Sequence, residues 1–178
     1  TSRGLGDVYK RQILHLCTSI MPDLKIVWCD SGYNTKATYI YAEKIIADLN
    51  LNIHLYTPKQ TSAHREIFMG EVPEVDDPRH AEFTEQVKLE PFRRAMSEIN
   101  PDLWITNLRK GQTAFRDGLN IISQTKKGLL KLSPFYHWSD KNLDVYMEKN
   151  SLLNEYDYFD PTKVDEKREC GLHSKEGQ

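Results

Sequence analysis

The chain has no C-x-x-C pair, no Cys/His group at metal-ligand spacing and no apolar run long enough to span a bilayer. Its three cysteines, Cys17, Cys29 and Cys170, make neither a disulfide framework nor a structural zinc site, so a reducing compartment, the cytoplasm, is the expected setting. A large excess of either charge is missing too. A net charge of −2 argues against general nucleic-acid binding, and no membrane association is expected. What remains is 178 residues, 39% of them hydrophobic, enough to bury one sizeable core as a single α/β domain.

Residues 1–12, opening Thr1-Ser2-Arg3-Gly4-Leu5-Gly6, resemble the translation of a sequencing adapter and are set aside as a leader that is not native, so fold reasoning starts at Ile13. Residues 13–21 read as the end of a helix closed by Pro22. Leu24-Lys25-Ile26-Val27-Trp28-Cys29 is a short strand of buried type, which makes Cys29 a core residue. Apolar or small groups at Thr38, Tyr41, Ala42, Ile45, Ile46 and Leu49 then mark a helical face. Asn52-Ile53-His54-Leu55-Tyr56 is the next strand, and strand–helix–strand at this spacing calls for a parallel crossover. The fold class is therefore α/β: a doubly wound, mainly parallel sheet with helices on both faces.

Eight acidic residues between Glu66 and Glu90, with Pro73 and Pro78, predict a solvated, mobile insertion. A helix follows from Pro91 to Ile99 with proline at its first position. Leu103-Trp104-Ile105-Thr106 is a third strand, two short strands flank Lys126-Lys127-Gly128, and Ser139 is placed to cap a helix reaching Asn150. His137, among aromatics, reads as packed. Residues 154–164, aromatic and acidic, suggest a lid or strap.

Three places carry chemistry. Asp30-Ser31-Gly32 follows the first strand, where open parallel sheets bind ligands, although the same residues also make an ordinary capping turn. Arg109 and Arg116 belong to a block, 104–133, with six basic residues against one acidic, placed after a strand; such a block is either a solvated face or a set of anion-binding forks. Near the C-terminus, Cys170 lies among Lys167, Arg168 and His173, cations that favour the thiolate.

The string Glu169-Cys170-Gly171-Leu172-His173 resembles the signature of the phosphoadenosine phosphosulfate (PAPS) reductases. Asp30-Ser31-Gly32-Tyr33, Lys88-Leu89-Glu90-Pro91 and Leu108-Arg109-Lys110-Gly111-Gln112-Thr113-Ala114-Phe115-Arg116 resemble further blocks of that family. The resemblance covers residues 13–173. It implies the adenine nucleotide alpha-hydrolase-like fold of the PP-loop group, with a sulfonucleotide-binding domain over 13–153 and a C-terminal arm over 154–178 carrying the cysteine. It also implies the activity: Cys170 attacks the sulfur of PAPS, releases the adenosine bisphosphate and becomes an S-sulfocysteine, which thioredoxin or glutaredoxin then cleaves to give sulfite. Asp30, Ser31, Gly32, Lys88, Arg109, Arg116, Arg168 and His80 would then bind substrate, and His173 would tune the Cys170 thiol or assist the leaving phosphate. A homodimer is a further implication.

Departures from the family pattern bear on chemistry. The Cys-Cys pair that precedes the lysine in iron–sulfur APS reductases is replaced by Phe83 and Thr84, so no cluster, metal or other cofactor is expected. Asn107 stands for a glycine, Gly111 for an acidic residue, and the arm before Cys170 is short. The phosphate-cradling loop and the first strand of the family are expected before Ile13, where the leader stands. The competing readings are a cluster-free APS reductase, an ATP-using PP-loop enzyme and an inactive nucleotide-binding relative.

Overall fold

The computed structural model describes residues 10–74, 76–111, 117–125 and 128–152. Helix α1 (Lys10–Ile20) precedes strand β1 (Lys25–Cys29), helix α2 (Lys36–Leu49) and strand β2 (Asn52–Tyr56). Thr35 caps α2 by accepting from the Thr38 amide, and Asn50 ends it in the left-handed region at φ 47°. With α2 as crossover, β1 and β2 pair in parallel, Lys25 opposite Asn52 through Cys29 opposite Tyr56.

Helix α1 begins three residues before the expected boundary. Arg11 and Gln12 are buried, and the Arg11 guanidinium donates to Asp48 of α2 at 2.9 Å. On the far side, His15 Nδ1 meets the Tyr146 hydroxyl at 2.8 Å.

Residues 66–90 are not a mobile insertion. They include the end of helix α3 (Ser62–Met69), helix α4 (His80–Thr84) and a π-helical turn, Glu85–Leu89, that runs into helix α5 (Glu90–Ile99). The acidic side chains dominate the composition, but Met69, Phe83 and Val87 between them close a core cluster with Tyr33 and Val72. Burying these apolar groups outweighs a polar average. The π turn answers to Pro91, which has no N–H to give and whose ring would collide with a carbonyl four residues back in a continuous α-helix. In its place the Glu90 amide bonds Glu85, five residues back.

Strand β3 (Leu103–Ile105) pairs in parallel with β5 (Leu130–Leu132), and β4 (Ile122–Gln124) adds antiparallel to β5, giving a mainly parallel α/β architecture in two strand groups. Helix α5 spans the groups: Phe92 packs at a tilt against Trp104 of β3, and Glu98 accepts from the Tyr56 hydroxyl of β2 at 3.0 Å. Helix α6 (Asp140–Lys149) starts with a reciprocal capping box between Ser139 and Asn142, and its Leu143 joins Phe135, Ile13, Leu16 and Trp138 in a second core. His137 is exposed, its ring edge-on to Tyr136. Among the described residues no helix is long and apolar enough to cross a membrane.

Candidate active site at the strand ends

The turn after β1 organises itself. Asp30 Oδ1 accepts from the Gly32 amide at 3.0 Å, the Asn34 side-chain amide at 2.8 Å and the Tyr39 hydroxyl at 2.9 Å. Ser31 Oγ accepts from the Tyr33 amide, and Gly32 sits at φ +80°, a conformation that disfavours any side chain. Burial, and then the Asp30 carboxylate, raise the Tyr39 pKa. The capping reading of Asp30 and Ser31 is thus realised: both side chains are spent holding the turn. What a ligand would meet is the backbone that they hold.

Lys88 lies in the π turn, half-buried. It is close enough to the end of β1 that its charge, with that of Arg94, acts on Cys29; burial nonetheless pushes that thiol up to about 11. Cys29 is half-buried rather than wholly enclosed. Lys88 therefore lies within electrostatic reach of the carboxyl end of β1, the strand that the Asp30-Ser31-Gly32 turn follows.

His80 is buried, its Nδ1 2.9 Å from the Pro73 carbonyl and its ring beside Phe83. A carbonyl only accepts, so Nδ1 carries the proton and the ring serves to tie the chain before α4. At the end of β3, Arg109 is 4% exposed and Nη1 donates to Asp140 Oδ1 at 2.6 Å. Asp140 is half exposed, so the pair opens to solvent on its acidic side. The Gly111 amide donates to the Asp117 carboxylate at 2.6 Å. Lys131 of the same basic block lies over the Trp104 ring, and burial lowers its pKa. Arg116, Arg168, Cys170 and His173 lie outside the described residues.

Sequence reasoning missed three cations at the β1–β2 end. Arg65 is buried on α3 beside Tyr33, Lys59 approaches Glu90 at 3.6 Å, and Arg94 forks onto Glu90 and the Thr57 carbonyl while covering the Tyr56 ring. The Glu90–Arg94 spacing of four was legible as a helix pair. For Arg65 the signal was its place four residues before Met69, on the buried face. Among the described residues no three His, Cys, Asp or Glu side chains gather where a metal could sit.

The family profile of the phosphoadenosine phosphosulfate reductase domain matches residues 11–155. A phosphoadenosine 5'-phosphosulfate reductase of Vibrio parahaemolyticus is 32% identical over 187 aligned positions, covering 93% of this chain and 72% of its own. One of Alteromonas mediterranea is 30% identical, covering 90% and 73%. Among solved structures, the phosphoadenylyl-sulfate reductase of Candida auris, in a phosphate complex, superposes with a TM-score of 0.70 at 21% identity, over 83% of this chain and 70% of the other. That likeness is one of fold.

Proposed function

Since the chain belongs to the phosphoadenosine phosphosulfate reductase family, we propose that it reduces 3'-phosphoadenylyl sulfate to sulfite and adenosine 3',5'-bisphosphate. The observation that carries this reading is the Asp30-Ser31-Gly32 turn at the carboxyl end of β1 in a parallel α/β fold, where ligands bind, with Lys88 near enough for its charge to act on Cys29, the last residue of that strand.

In this reading the Cys170 thiolate, favoured by Lys167, Arg168 and His173, attacks the sulfonate sulfur. The S–O bond to the nucleotide phosphate breaks and adenosine 3',5'-bisphosphate leaves with that electron pair. A thiolate of thioredoxin or glutaredoxin then attacks Cys170 Sγ. Sulfite leaves with the S–S electron pair, and the partner's second thiol resolves the mixed disulfide, so two electrons come from one dithiol. Lys88, Arg109, Arg116 and Arg168 offset the substrate's charge, and His173 stabilises the thiolate. The reading takes no iron–sulfur cluster, since Phe83 and Thr84 stand where iron–sulfur APS reductases carry a Cys-Cys pair.

The test is the intact mass of the reduced protein after incubation with PAPS, with APS, or with ATP, without thioredoxin. A single added SO3 with PAPS, located on Cys170 and removed by thioredoxin, is expected. Cys17 and Cys29, whose pKa values burial raises, should stay unmodified. An adduct formed better with APS would reassign the substrate, and pyrophosphate release from ATP without any adduct would overturn the reading.

A further inference from the structure

Arg65 is 1% exposed, and its guanidinium reaches three neutral acceptors on three separate segments. Nε donates to Gln86 Oε1 at 2.9 Å, Nη2 to the Gln60 carbonyl at 3.0 Å and Nη1 to the Tyr33 hydroxyl at 3.4 Å, with the guanidinium carbon 5.9 Å from the centre of the Tyr33 ring. Enclosing a cation is costly unless its N–H groups are all used, and a planar fork can serve three directions at once where an ammonium cannot.

Each segment it holds leads into the candidate site. Gln60 lies four residues past β2, Tyr33 closes the Asp30-Ser31-Gly32 turn, and Gln86 stands two positions before Lys88 in the π turn. Tyr33 also packs edge-on against Phe83 at 5.3 Å, so the turn already shares an apolar contact with helix α4, which runs straight into the π segment, and Arg65 adds direction to it.

We propose that Arg65 is a positioning residue, which fixes the spacing between Lys88 and the Asp30-Ser31-Gly32 turn and thereby sets the affinity for the sulfonucleotide. It rests on the function proposed above, and it concerns a side chain that is itself enclosed. A purely structural arginine would affect melting and leave nucleotide affinity alone once the protein is folded.

The experiment compares the full 178-residue chain with Arg65→Lys, Arg65→Met and Gln86→Leu, each with and without Lys88→Ala. Calorimetric binding of adenosine 3',5'-bisphosphate is read beside the thermal melt. Arg65→Lys keeps the charge and should melt cooperatively while binding about 10- to 100-fold more weakly, the scale of a displaced binding group. Gln86→Leu, which leaves Arg65 in place, should weaken binding by a smaller factor, and it carries the test if both Arg65 variants fail to fold. Lys88→Ala should cost less affinity in each of the three backgrounds than in the wild type, because two groups acting through one geometry are not additive. Wild-type affinity in Arg65→Lys and Gln86→Leu, or additive losses with Lys88→Ala, would overturn the inference. A wild-type chain that binds no bisphosphate would overturn the functional reading first.

Discussion

At the end of β1 the charge in the turn is a carboxylate, Asp30, satisfied by donors within nine residues of it; at the end of β3 it is a cation, Arg109, whose partner Asp140 lies 31 residues on. The first turn is a local structure that closes as soon as its own segment is ordered. The second exists only when α6 has docked. A local turn answers to the apolar platform beneath it, whereas a long-range pair answers to salt, to pH and to whatever holds the distant helix.

Removing the platform should have the largest effect. Phe83→Ala, which empties a fully enclosed site under Tyr33, is expected to cost about 3–5 kcal/mol in urea unfolding, against about 2–5 kcal/mol for Leu143→Ala beneath α6. Only the first should disturb the Tyr33 environment, which ultraviolet difference spectra would report. Next in size is the charge itself. Asp140→Asn leaves the buried Arg109 without its carboxylate and should lose about 1–3 kcal/mol, a loss that shrinks as salt screens the pair in the wild type. Asp30→Asn keeps one acceptor for its turn and should lose about 1 kcal/mol with no salt dependence. An equal salt response in both would erase the contrast.

Ser139→Ala dissolves the capping box on which the Arg109–Asp140 pair stands and should cost about 1 kcal/mol. Rescue by Ser139→Asp would show that the cap, not the hydroxyl, matters. Smallest is the acid response of the β1–β2 side. Arg79 holds Asp77 down to about 2, Arg93 lowers Glu85, and Arg94 lowers Glu90. Folded values below the unfolded ones mean stability that is full above the unfolded carboxylate range and lost as pH falls through the folded values. The melting temperature should therefore drop from roughly pH 4.5 downwards, and Arg93→Met should remove the Glu85 share alone.

Much of this contrast was legible in the residues. Strands β1 and β2, their crossover helix, the strands flanking Lys126-Lys127-Gly128 and the Ser139 cap all follow from periodicity and capping, which act over a few positions. The stretch 66–90 was misread because its charges lie outward while Met69, Phe83 and Val87 turn inward; composition averages over both faces. Asp140 as the partner of Arg109, and Gln86 with Tyr33 as partners of Arg65, depend on docking that no local pattern encodes. Cys170, His173, Arg116 and Arg168 carry their argument in the sequence, outside the described residues.

The widened turn at Glu85–Leu89 makes the span from His80 to Ile99 a matter of length as well as chemistry. One residue more or less in a helix rotates everything beyond it by about 100°. Deleting a single position between 85 and 89 would press Pro91 against the carbonyl four residues back and would swing Glu90 and Arg94 away from Lys59 and Tyr56 whenever Phe83 and Val87 kept to their core. Exposed side chains along this span can be exchanged at modest cost, but the number of residues in it is fixed by the two surfaces it must face at once.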